Sequence, residues 1–95
     1  NNPIKDEVMG YIQRQQSKRL KAIKIEGKDD KVIAKGFSDK NTAMFIDGQY
    51  ADVKALQKLD YSKIRIINTD PIGNFPDLAI KYNIRKERIV QVFTK

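Results

Sequence analysis

The stretch Ala43-Met44-Phe45-Ile46-Asp47-Gly48 sets four apolar residues in a row directly before a turn-forming pair. Four residues suit a strand rather than a helix, and the run shows no polar alternation, so it reads as a strand covered on both faces. Asp47-Gly48 ends it: glycine supplies a positive φ and aspartate bonds its own backbone. A strand covered twice needs layers on both sides, and the flanking sequence supplies them.

Downstream, Asp52 reads as a helix N-cap, and Val53, Leu56 and Leu59 recur at every third position, predicting a helix over 53–59. Lys63 to Asn68 reads as a strand with Ile64 and Ile66 on one face, and Asp70-Pro71-Ile72-Gly73 as a loop. Pro76 suits the first turn of a further helix carrying Phe75, Leu78, Ala79 and Tyr82, which Asn83 closes in the left-handed conformation. Arg88 to Thr94 is the last strand. Upstream, Ser38 to Asn41 is a polar turn. Leu20–Glu26 and Lys31–Phe37 are strands joined at Gly27-Lys28-Asp29-Asp30, a hairpin. A helix over 4–18 puts Ile4, Val8, Tyr11 and Ile12 on one face.

This order predicts an α+β fold: one small domain over residues 1–95, with a mixed sheet of about four or five strands and about three helices. A 40% apolar, 33% charged composition excludes a disordered chain. A chain of 95 residues buries roughly two-thirds of its unfolded surface, so a core forms without metal or disulfide staples. No apolar run approaches the roughly 20 residues of a membrane-spanning helix.

With no cysteine and no histidine, thiol catalysis, disulfides, Cys/His zinc sites and imidazole-based triads are excluded. No glycine-rich phosphate loop is present. A calcium loop counted from Asp39 fails at Met44 and Tyr50, where Gly and Glu belong. Asp29-Asp30 sits in a turn flanked by Lys28 and Lys31, not across a cleft as paired catalytic carboxylates must. The expectation is a protein without metal, cofactor or catalytic residues.

The net charge is +7, and it is uneven. Arg14, Lys18, Arg19, Lys21 and Lys24 fall in a segment without acids, and Lys81, Arg85, Lys86 and Arg88 form a second knot. Such runs serve either as solvated surface or as a footprint for phosphate or an anionic membrane surface. On a helix Arg14 and Lys18 share a face, which places them against phosphates rather than bases. No aromatic residue alternates with them as a stacking platform requires. Tyr82 reads as core, whereas Tyr50 and Tyr61 bracket the middle helix and suit a protein partner.

The motif Met44-Phe45-Ile46-Asp47-Gly48 resembles the strand end of TonB-dependent receptor plug domains. The spacing from Leu56 through Asp60 to Ile64-Arg65-Ile66-Ile67, and the closing Ile89-Val90-Gln91-Val92-Phe93-Thr94-Lys95, extend the resemblance over residues 43–95. The helix and hairpin of residues 4–37 have no counterpart in it. The resemblance implies the fold of the second half and a bacterial cell-envelope setting, as a stand-alone module without a barrel that recognises rather than catalyses. The start Asn1-Asn2-Pro3 fits a mature form freed of a leader, and equally a trimmed cytosolic protein.

The leading expectation is therefore a periplasmic or outer-membrane-associated module that binds another protein. Its contact loops would be Asp47, Gly48, Gln49 and Tyr50, and Asp70 to Asn74, because binding residues concentrate in loops. The alternative is a cytoplasmic nucleic-acid-binding domain that uses Arg14, Lys18, Arg19, Lys21 and Lys24.

Overall fold

The structure, a computed structural model, describes residues 2–95. In chain order the elements are α1 (Pro3–Gln15), β1 (Lys24–Lys28), β2 (Lys31–Lys35), β3 (Thr42–Ile46), β4 (Gln49–Ala51), α2 (Val53–Gln57), β5 (Ile64–Pro71), α3 (Pro76–Tyr82) and β6 (Arg88–Thr94). Short 3₁₀ turns at Tyr61–Lys63 and Ile72–Asn74 flank β5.

A four-stranded mixed sheet in the order β4-β3-β6-β5 forms the middle of the fold. β3 and β6 are parallel, Thr42 opposite Arg88 and Ile46 opposite Val92, while β4 and β5 flank them antiparallel. Ala43, Phe45 and Ile89 face α1 and α3 and pack with Val8, Ile12, Ala79 and Ile84. Met44, Val90 and Val92 face the other way, against Val32 of β2 and Leu56 of α2. Layers on both faces explain why β3 is apolar without alternation. Each fully buried side chain of this size contributes about 1.5–3 kcal/mol.

The expected mixed sheet is present, but the hairpin is not part of it. β1 and β2 pair only with each other and lie across the second face as a separate two-stranded sheet. Its two-residue loop, Asp29 and Asp30, holds φ of 52° and 60°. Positive φ at both positions is what a tight hairpin matched to strand twist requires. Asp47 (49°) and Gly48 (82°) do the same between β3 and β4. This second hairpin adds an edge strand that the sequence reading treated as loop.

Local expectations are corrected. The first hairpin strand runs Lys24–Lys28 rather than Leu20–Glu26, so Gly27 and Lys28 are in the strand and not the turn. β2 ends at Lys35, and β5 continues to Pro71 because its ladder with β6 reaches Arg88. α1 stops at Gln15 rather than Lys18, and residues 18–23 have no regular structure. Its last buried residue is Ile12, and Gln16, Ser17, Lys18 and Arg19 bring no apolar side chain to the packed face. Ile4 stays 44% exposed, one turn before the contact with α3 begins at Val8. In β5 a bulge between Ile64 and Ile66 slips the alternation by one, so Ile67 joins Ile64 in the core and Ile66 is 40% exposed.

Asp52 and Asn83 cap their helices as expected, and Asn2 and Asp39 add caps that were not expected. The Asn2 carboxamide oxygen accepts from the N–H groups of Ile4 and Lys5. The five-residue α2 is held at its start by two carboxylates: Ala55 N–H donates to Asp52 at 2.8 Å and Val53 N–H to Asp39 at 2.9 Å. Asn83, at φ 52°, closes α3.

Candidate functional site

The Asp47 carboxylate is exposed and bonded to the end of β6. The Thr94 N–H and hydroxyl donate to it at 2.9 and 2.6 Å, and the Asp47 N–H donates to the Val92 carbonyl at 2.8 Å. The side chain therefore ties the β3–β4 turn to the end of β6. These bonds, the Thr94 hydroxyl first and its N–H second, hold the carboxyl below its ordinary range.

Beyond that turn, Gln49 and Tyr50 are exposed on the edge strand. Tyr50 pairs across the ladder with Phe45 and stacks on it, with 5.0 Å between centroids and 17° between planes. Tyr82 of α3 meets both rings edge-on at 5.4 Å. Lys86 Nζ lies 5.8 Å over the Tyr50 ring and Lys81 Nζ 5.5 Å over Tyr82. The result is a three-ring cluster, half-open at Tyr50, with two lysines beside it. Tyr82 packs on the core as expected.

Asp70 and Asn74 do not join this edge. Asn74 Nδ2 donates to Asp70 Oδ1 at 3.3 Å, and Asp70 lies opposite Ile89, near the start of β6, whereas Asp47 is tied to its end. The expected loop of Asp70 to Asn74 is the end of β5 and a 3₁₀ turn, and it lies toward the opposite edge and the opposite end of the sheet from the β3–β4 turn, on the order of 15 Å away by strand rise and spacing. The two do not form one contact surface. Asn74 instead borders a cavity of about 410 Å³ with Ile12, Gln15, Lys18, Leu20 and Ile72. The Gln15 Oε1 is buried and has no hydrogen-bond partner among the described residues.

The basic residues sort differently from their sequence order. Lys18 is off the helix and shares no helical face with Arg14, whose Nη1 lies 3.3 Å from where a Cβ on Gly10 would stand. Lys24 pairs with Glu26 at 3.4 Å, as does Lys35 at 2.7 Å, and Lys35 first, then Lys24, hold that carboxyl low. Lys18, Arg19 and Lys21 converge with Arg88 on a cleft of about 320 Å³ that Gly36, Asn41 and Glu87 also border. The second basic knot disperses. Arg85 pairs with Glu7 at 2.6 Å, the two lysines lie over tyrosine rings, and Arg88 is only 9% exposed. The sequence reading missed Arg88 as the cleft's inner wall. The available signal was a guanidinium opening an otherwise apolar strand.

Glu87 borders both cavities, and its charge, after burial, helps raise the Tyr11 hydroxyl above its ordinary value. Asp30 is structural: Ser62 N–H and hydroxyl donate to its carboxylate at 2.7 and 3.1 Å. Among the described residues no three Asp or Glu gather as a metal site, and no helix is long and apolar enough to cross a membrane. The side chains thus gather an aromatic cluster at one edge of the sheet and cations at the cleft. In comparison with known proteins, no family model matches the chain, and neither a curated protein nor a solved structure does.

Proposed function

We propose that this chain is a non-catalytic protein-interaction module of a bacterial cell envelope, periplasmic or outer-membrane-associated, and similar over residues 43–95 to TonB-dependent receptor plug domains. The sequence motif is the ground for the setting. The single observation that supports the binding role is the half-open ring cluster of Phe45, Tyr50 and Tyr82 on an edge strand paired on one side only. Tyrosine at an open edge offers a large apolar contact at low entropic cost, and the free ladder positions of β4 accept an added strand. Lys81 and Lys86 beside the rings favour an acidic, extended partner segment. Asp47 serves by fixing the turn that presents this edge.

The test is a photo-reactive residue placed at Gln49 in the full-length protein in its own cells. A discrete protein adduct is expected at Gln49, absent from the same probe at Lys58 and lost on Tyr50→Ala. An adduct that forms equally at both positions, or survives Tyr50→Ala, would refute the edge as the contact.

The convergence of Lys18, Arg19 and Lys21 favours a second reading, a nucleic-acid-binding domain in a cytoplasmic setting. Its test is anisotropy of labelled duplex against salt, where each phosphate contact adds about 0.9 to the log–log slope. Binding that persists at physiological salt and is weakened by Arg19→Ala would put this reading first. Flat anisotropy would remove it.

A further inference from the structure

We propose that the cleft formed by Lys18, Arg19, Lys21 and Arg88 is a seat for the phosphate group of a small ligand, with Arg88 as its anchor. Arg88 is nine-tenths buried, yet no carboxylate lies within ion-pair distance of it among the described residues. The one hydrogen bond its side chain makes there is donated by Nη2 to the Lys21 carbonyl. Its other guanidinium nitrogens make no protein hydrogen bond and are not closed off from solvent, so they are free to take an anion. Its planar fork matches a phosphate oxyanion in two-point contact.

The walls are built to keep that fork at the cleft. The Asn41 carbonyl accepts from the N–H groups of Glu87 and Arg88 at 3.0 and 3.2 Å, which fixes the start of β6. Gly36 has φ of 87°, and a Cβ there would stand 3.0 Å from the Ala22 carbonyl oxygen. Glycine thus lets the cationic segment run close against the hairpin end. Glu87 also borders the cleft and sets one acidic residue against the four cations.

The size and shape favour a small ligand over a polymer. The cations converge on one cleft, while Arg14 stands outside it on α1 and Lys24 is paired with Glu26. The neighbouring cavity shares Lys18 and Glu87 with the cleft and adds Ile12, Leu20 and Ile72. It has room for an apolar body attached to the phosphate. A soluble phosphate monoester and a phospholipid headgroup share this chemistry.

The experiment is a nitrogen-15 correlation titration of the full chain with inorganic phosphate, phenyl phosphate and, at matched ionic strength, sodium chloride. Saturable shifts at residues 18–22, 36–41 and 87–88 are expected from both phosphates, extended by phenyl phosphate, the tighter of the two, to Ile12 and residues 72–74, and none from chloride. Arg19→Ala/Lys21→Ala, at exposed positions that leave the fold intact, should weaken phenyl phosphate about tenfold, the equivalent of one charge-assisted hydrogen bond or more. Co-sedimentation with phosphatidylcholine vesicles containing phosphatidic acid, lost in that variant, would assign the seat to a lipid headgroup; no sedimentation would assign it to a soluble ester. Phosphate shifts that match chloride, an unaffected double variant, or a duplex oligonucleotide that moves the same amides more tightly than phenyl phosphate would each overturn the proposal.

Discussion

Tyr50→Ala tests the ring cluster quantitatively. The side chain is 38% exposed, yet it makes two ring pairs, one stacked on Phe45 at 5.0 Å and one edge-on to Tyr82 at 5.4 Å. Each such pair is worth about 0.5–1.5 kcal/mol beyond the area it buries. Adding the apolar surface lost from a half-buried ring, truncation should cost about 2–3 kcal/mol. The Lys86 contact at 5.8 Å is open to solvent and adds only about 0.5 kcal/mol. For a domain of 95 residues the unfolding entropy is about 0.2 kcal/mol/K, so Tm should fall by about 10–15 °C. Tyr50→Phe keeps both ring pairs, and the hydroxyl makes no hydrogen bond among the described residues, so its effect should stay within about 0.5 kcal/mol. Urea unfolding followed by circular dichroism measures both. A loss below about 1 kcal/mol for the alanine variant would refute the packed cluster. Equal losses for both variants would move the effect to the hydroxyl. The phenylalanine variant also separates folding from binding: it should hold stability and most of the partner affinity.

Asp47→Ala should be pH-dependent in its effect. The Thr94 bonds depress the folded pKa, so the carboxylate's contribution is complete above the unfolded value near 4 and is lost as pH falls through the lower folded value. The gap in urea midpoint between wild type and variant should therefore be widest at neutral pH and narrow in acid; an unchanged gap in acid would disprove the linkage. Leu56→Ala should cost about 3 kcal/mol, because Leu56 is fully buried between α2 and the sheet residues Met44 and Val90. A loss under about 1 kcal/mol, read from chemical unfolding, would mean that α2 is not docked there. Gly27→Ala places a Cβ 2.3 Å from the Tyr61 ring, so the ring must leave. Faster amide exchange at Tyr61 and Ser62, whose N–H groups donate to Asp30, is the expected sign, and unchanged exchange would contradict this contact.

What was legible along the chain was what local chemistry controls. Asp52 and Asn83 cap their helices because a side-chain carboxylate and a tolerated left-handed residue act within a few positions. The apolar run of β3 announced burial on both faces. The readings that failed depend on a partner strand or layer. Gln49-Tyr50-Ala51 has too few residues to show alternation, and it is a strand only because the tight Asp47-Gly48 turn folds it onto β3. Ile64 and Ile66 alternate in sequence, but the bulge against β6 separates them. In the candidate sites, Tyr50 was visible as a half-exposed aromatic, whereas the bond from Thr94 to Asp47 spans 47 positions of sequence and left no local trace.

The sequence by itself determined the α+β class, the order of most elements, the absence of thiol and imidazole chemistry, and a charge of +7. These follow from composition and from periodicities set within a turn or two of chain. Only the tertiary structure decided that the hairpin forms its own sheet on the second face and that the two expected binding loops lie apart. It also decided that Arg88 joins Lys18, Arg19 and Lys21 at one cleft, though 67 residues separate Arg88 from Lys21. The physical reason is that burial and charge convergence depend on which strands pair across the sheet, and a parallel β3–β6 pair brings together residues that no local window contains.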